Sequence, residues 1–271
     1  MKKNNHHLIV IYIILIAFPA IYFSCKNTNA ESRIIPTLPA PRGYQLVWSD
    51  EFNDTSIDTA NWNFEIGGSG WGNHEQEYYQ RNNASIENGC LVITGKKETA
   101  QDKHYTSSRM TTQRKHEFLY GRIEARIKIP VAQGFWPAFW MLGADISEVG
   151  WPASGETDIM EHINTDSLIY GTLHWDKNGH VQSGDTLHST PSSYHVYAVE
   201  WDKDSISWYI DTIKYHTVII TNGINSTEEF RKPFFILLNF ALGGDWPGQK
   251  IDDSKLPAKM YVDYVRVYQK K

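Results

Sequence analysis

The sequence predicts an all-β fold, most simply an antiparallel β-sandwich of jelly-roll type. Three observations carry this. Short segments of alternating or β-branched residues recur along the chain, turn residues bound them, and no amphipathic helix exceeds about two turns. Of the 271 residues 41% are hydrophobic and 21% charged, a composition too apolar for disorder and sufficient for one large core. Neither an internal repeat nor a linker to a second domain is present.

The individual segments support that fold in order. Asn88-Gly89 separates residues 84–87 from 90–94, and both turn residues tolerate positive φ, so a hairpin is expected. Residues 121–129 alternate, with Ile123, Ala125, Ile127 and Ile129 on one face and Arg122, Glu124, Arg126 and Lys128 on the other. Further strands are expected over 168–175, 194–201, 205–213 and 260–268. Residues 234–242 are almost wholly apolar, as in a strand covered on both faces.

The N-terminus reads as an address. Lys2 and Lys3 precede an apolar run over 8–23, marginal for a membrane span but suited to a secretory signal. The run ends in Tyr22-Phe23-Ser24-Cys25, which resembles the lipobox of bacterial lipoproteins, with Cys25 as the lipidated residue. A plain signal peptide or an uncleaved anchor are the competing readings. The expected organisation is a leader over 1–24, a tether over 25–42 and a catalytic domain over 43–271. The protein would then be exported to the outer membrane as a monomer that meets the membrane only through its lipid. With Cys25 lipidated, Cys90 has no intrachain partner and is expected as a buried packing residue in an apolar strand.

Several chemistries are disfavoured. Net charge is −5, from 26 basic and 31 acidic residues, so a broad nucleic-acid footprint is excluded. The glycine run at 67–72 fits neither a dinucleotide-binding loop nor a P-loop. No zinc-type histidine or Cys-x-x-Cys spacing occurs.

The chemistry concentrates in Gly155-Glu156-Thr157-Asp158-Ile159-Met160-Glu161-His162. In a strand Glu156 and Asp158 share a face, whereas Glu161 falls on the other. One extra residue at Ile159-Met160, a β-bulge, returns Glu161 to the Glu156 face. Like charges so close raise at least one pKa, as a general acid working near neutral pH requires. A solvated acidic strand or a calcium site would show the same spacing. The flanks favour catalysis: Trp136, Trp140, Trp151 and Trp175 lie within about twenty residues, and the chain holds ten tryptophans, all at or beyond Trp48. Aromatic faces stack on sugar rings, so carboxylates framed by tryptophan point to a glycan cleft.

These motifs resemble glycoside hydrolase family 16, in the laminarinase-like branch with a bulged Glu-x-Asp-x-x-Glu strand. The likeness runs through Trp48-Ser49-Asp50-Glu51-Phe52, Trp71-Gly72-Asn73 with Glu75, Tyr105-Thr106-Ser107-Ser108-Arg109 and Trp136-Pro137-Ala138-Phe139-Trp140-Met141. It continues in Gly171-Thr172-Leu173-His174-Trp175, Gly243-Gly244-Asp245-Trp246-Pro247-Gly248 and Val262-Asp263-Tyr264-Val265-Arg266-Val267-Tyr268.

The resemblance implies a concanavalin-like jelly roll with an open cleft and retaining hydrolysis of β-1,3-containing glucans, laminarin-type or mixed-linkage. Glu156 would be the nucleophile, Glu161 the acid and then base, and Asp158 the group that tunes Glu156. Asn73, Arg109 and His174 would bond sugar hydroxyls, and Trp136, Trp140 and Trp151 would form floor and walls. No cofactor would serve catalysis, but a structural calcium held through Glu51 and Asp263 is implied. Thr157 and Asp245 depart from the family pattern, as does the 174–180 loop, which leaves strict β-1,3 specificity open. A retaining pair needs carboxyls about 5–5.5 Å apart. Backbones four strand steps apart are separated by about 13 Å, so the side chains must lean together. An endo-hydrolase of a galactan such as agarose and a non-catalytic glycan-binding lectin are the alternatives.

Overall fold

A computed structural model describes residues 42–271. The leader, Cys25 and all but the last residue of the tether lie outside the described residues. The strands are β1 (Tyr44–Asp50), β2 (Asn63–Glu65), β3 (Glu77–Tyr79), β4 (Ala84–Glu87), β5 (Cys90–Gly95), β6 (Tyr105–Ser107), β7 (Arg109–Thr111), β8 (Gly121–Lys128) and β9 (Phe135–Gly143). After one helical turn, α1 (Ile146–Val149), come β10 (Glu156–Glu161), β11 (Leu168–Asp176), β12 (His180–His188), β13 (His195–Trp201), β14 (Ser205–Ile210), β15 (Ile213–Ile219), β16 (Phe234–Leu242) and β17 (Ala258–Lys270).

They form the expected antiparallel sandwich. One sheet runs β15-β14-β13-β8-β17-β5-β4, and β1 also pairs with β17. The 13-residue β17 is long enough to border β5 at its start and β1 at its end along one edge. The second sheet runs β12-β11-β10-β9-β16-β7-β2, and β3 and β6 form a small parallel pair beside it. Ile123, Ile127, Val265 and Val267 of the first sheet share a single core with Phe139, Met141, Ile159, Leu173 and Phe240 of the second. All nine residues of β16 are buried, as its apolar sequence requires. The 84–95 hairpin forms with Asn88 and Gly89 both at positive φ, and Cys90 is buried and free within it.

Two sequence expectations are revised, for residues 205–213 and for Trp175. Residues 205–213 are not one strand: the chain reverses at Asp211, whose φ is 54°, and returns as β15. The charged face of β8 is paired within the protein. Arg122 pairs with Glu124 at 2.7 Å and Arg126 with Asp263 at 2.9 Å, beneath tyrosine rings that cover the guanidinium groups. Trp175 belongs to the core, where its indole donates to the Asn225 carbonyl.

The second sheet meets the first through a buried polar contact. Trp208 of β14, fully buried, donates its indole N–H to the main-chain carbonyl of Asp158 at 2.7 Å. Space for that indole depends on Gly171 of β11, where a Cβ would stand 2.5 Å from Trp208 Cδ1 and 2.3 Å from the Tyr215 hydroxyl. Replacing Trp208 by Phe keeps an aromatic ring but leaves the carbonyl without its donor. Urea unfolding should show a loss of about 1–3 kcal/mol, and unchanged stability would remove this bond from the account.

Candidate active site

The acids are placed by strand register. Glu156 faces Leu142 of β9 and His174 of β11, and Asp158 faces Trp140 and Thr172. The register then slips in both ladders, by one residue against β9, and Glu161 resumes opposite Ala138 and Tyr170. This is the expected bulge, and it sends Ile159 and Met160 into the core while Glu161 returns to the side of Glu156 and Asp158. A single rung of the sheet thereby carries Glu65, Arg109, Asn239, Ala138, Glu161 and Tyr170 in line. Above this face lie two adjoining hollows of about 670 and 370 Å³, both lined by Asn73, Trp136, Trp151, Glu156 and Glu161.

Each outer acid takes an indole hydrogen bond. Trp136 donates Nε1–H to Glu161 at 2.9 Å, and Trp151 donates to Glu156 at 3.0 Å. The tryptophans read from sequence as sugar platforms therefore also aim the carboxylates. Trp151 is about half exposed and Trp136 half-buried, so both keep ring surface open to the cleft. Trp140 instead donates to Asn239 at 2.7 Å and carries the Arg109 guanidinium 4.7 Å from its ring. On its other side Arg109 lies 4.8 Å from Trp71, and it is ion-paired with Glu65. Asn239 bonds Tyr79, Tyr79 bonds Glu75, and Glu75 accepts from Asn73 at 3.3 Å. Asn73, Arg109 and Trp140, expected separately, are thus fixed through one network. Asn239, Trp246 and His180 were not singled out from sequence. Isolated polar or aromatic residues in strands and loops give no spacing signal, whereas their place on this face is evident in three dimensions.

His174 sits among the acids. Its Nε2 lies 3.0 Å from Asp158 Oδ2 and 3.9 Å from Glu156, and its Nδ1 lies 2.8 Å from His180. Both ring nitrogens, expected to face sugar hydroxyls, are engaged within the protein. Glu156, Asp158 and His174 bring three potential ligand atoms within 4.8 Å of one another. The indole bond to Glu156 and the His174 contacts already account for this geometry. The implied calcium residues do not fit a cation cage. Glu51 is held in a two-point ion pair by Arg266, and Asp263 is paired with Arg126.

Burial dominates the electrostatics. It pushes the Glu156 carboxyl up to about 8, with the Asp158 charge adding to it. Asp158 is also raised to about 8 by burial, and Glu161 is raised well above the usual carboxylate range by burial and then by Asp158. Mutual repulsion, the cause expected from sequence, comes second to desolvation. Such a trio holds protons at neutral pH and does not ionise fully, so one carboxyl can donate while its neighbour attacks.

Buried carboxylates at the centre of a tryptophan-lined cleft on an antiparallel sheet define a glycoside hydrolase. The chain belongs to glycosyl hydrolases family 16, whose model matches residues 72–266. It is 44% identical over 231 residues to the clotting factor G alpha subunit of Tachypleus tridentatus, covering 83% of this chain and 34% of that protein. It is 37% identical to a beta-glucanase of Rhodothermus marinus, with 83% of this chain and 85% of the relative covered. The chain thus spans about a third of the first relative and most of the second. Among solved structures, the laminarinase catalytic domain of Thermotoga maritima MSB8 superposes with a TM-score of 0.78 at 43% identity, covering 84% of this chain and 99% of that one.

The raised carboxyl pKa values fix a sign for stability against pH. Unfolded carboxyls titrate near their model values of 3.8 and 4.5, and folded Glu156 and Asp158 near 8. Between these limits the folded state binds more protons, so stability falls as pH rises from about 4.5 to 8. Melting curves of the unliganded protein should show this decline. The double variant Glu156→Gln, Asp158→Asn should flatten it, and an equally steep decline in that variant would contradict the assignment.

Proposed function

We propose that the protein is a retaining endo-β-glucanase acting on β-1,3-containing glucans. The observation that carries this reading is the bulge that puts Glu161 on the same face as Glu156, each carboxylate aimed by its own tryptophan N–H. Glu156 attacks the anomeric carbon as Glu161 protonates the departing glycosidic oxygen, giving a glycosyl-enzyme. Glu161, now ionised, takes a proton from water, which attacks the same carbon and releases Glu156. Asp158, beside Glu156, shares its proton load and keeps the nucleophile available.

The substrate class is supported by the relatives. Besides those above, an endo-1,3-β-glucosidase of Niallia circulans is 36% identical and covers 86% of this chain. Trp136, Trp246 and Tyr170 form an edge-to-face aromatic cluster at one end of the cleft, and Trp151 stands with His174 and His180 at the other. A sugar chain laid between them meets apolar surface at both ends and the acids in the middle.

Glu156→Ala and Glu161→Ala should each lower hydrolysis of laminarin by at least about 10²-fold while the protein stays folded by circular dichroism. Near-normal turnover in either variant would sink the mechanism. The wild-type product profile on laminarin, lichenan, barley β-glucan and agarose reads the substrate: oligosaccharides from the first three support a β-glucanase, and cleavage of agarose alone would overturn it.

A further inference from the structure

The loop from 174 to 180 builds a contact the mechanism above does not use. β11 and β12 are joined by a tight turn in which Asn178 and Gly179 have positive φ and Asp176 caps the Gly179 N–H at 3.0 Å. With Asp176 opposite His180 in the ladder, His180 lies diagonally across from His174. The rings approach with 21° between planes, and His180 Nε2 is 2.8 Å from His174 Nδ1. Trp151, the indole that binds Glu156, covers His180 with ring centroids 4.6 Å apart.

We propose that His180 is a positioning residue, which accepts a hydrogen bond from His174 Nδ1–H and so holds His174 with its Nε2 edge turned to Asp158 and Glu156. The inference rests on the functional reading above. Two ring nitrogens at 2.8 Å need one hydrogen between them. Partial burial and the neighbouring His174 lower the pKa of His180, which suits it to the accepting side of this contact. On its other side His174 meets an acidic wall, its Nε2 3.0 Å from Asp158 and 3.9 Å from Glu156. From that position the imidazole works on Glu156 and Glu161 against the burial that raises them.

The charged and titratable groups around this pair are Glu156 and Asp158 on β10, with Glu161 beyond them, and Arg109 on β7, which also lowers Glu156. On the hairpin itself are Asp176 and Lys177, the latter turned to Asn225. Gln182 stands opposite His174 in the ladder and adds no charge.

The test is the pH dependence of kcat/KM on laminarin for wild type, His180→Ala and His180→Gln. Without the acceptor the His174 ring is free to turn from the acids, Glu156 loses its influence and ionises at higher pH, and the acid limb should move up by about one pH unit in His180→Ala. His180→Gln, whose amide oxygen reaches the same place, should restore the wild-type limb. A rise in KM alone with an unmoved limb would mark His180 as a sugar contact and overturn the proposal. Inactivity of the wild type on every glucan would instead sink the functional reading. The 15N shifts of His174 then still decide the pair: a protonated Nδ1 supports it, and an unprotonated Nδ1 contradicts it.

Discussion

The bond from the Trp208 indole to the Asp158 carbonyl is the point on which the site depends. A bulge interrupts the hydrogen-bond ladder on both sides of β10, and a buried carbonyl left without a donor costs about 1–3 kcal/mol. Trp208 reaches across the core from the opposite sheet to supply that donor, and Gly171 leaves room for it. The bulge in turn decides which way Glu161 points. Core packing of Ile159 and Met160 on one side and convergence of three carboxyls on the other are two results of one inserted residue.

Around that strand the protein answers a hard electrostatic problem locally. Three carboxyls crowded and buried in one cleft resist full ionisation, so the acid among them keeps a proton to give. Indole N–H groups, which carry no charge, orient the outer two without neutralising them. Arg109, the nearby fixed cation, is held between two tryptophans and committed to Glu65, while His174 lies against the central acid. A lysine or arginine paired directly with Glu161 would instead hold it ionised and unable to act as an acid.

Much of this was legible in the sequence. The apolar run of β16, the Asn88-Gly89 hairpin and the alternation of β8 are local patterns that report local structure. The bulge was legible because three acids with that spacing make chemical sense only on one face. What escaped depends on neighbours distant in sequence. β12 is an edge strand whose exposed residues show no apolar alternation. The turn at Asp211 lacks the glycine that marks such reversals. Trp175 follows His174 directly, and a one-residue step in the pleat sends it into the core while its neighbour joins the acids. The calcium at Glu51 and Asp263 was implied by the resemblance alone, and the ion pairs that Arg266 and Arg126 make with them are set by strand register.

The central claim is that the bulge brings Glu156 and Glu161 to the spacing of a nucleophile and an acid, not to the wider one that admits a water between them. Proton NMR of the anomeric region during the first minutes of laminarin cleavage tests this directly. The account predicts that the β-anomer of the new reducing end appears first and then mutarotates. Initial formation of the α-anomer would mean inversion, and would contradict it.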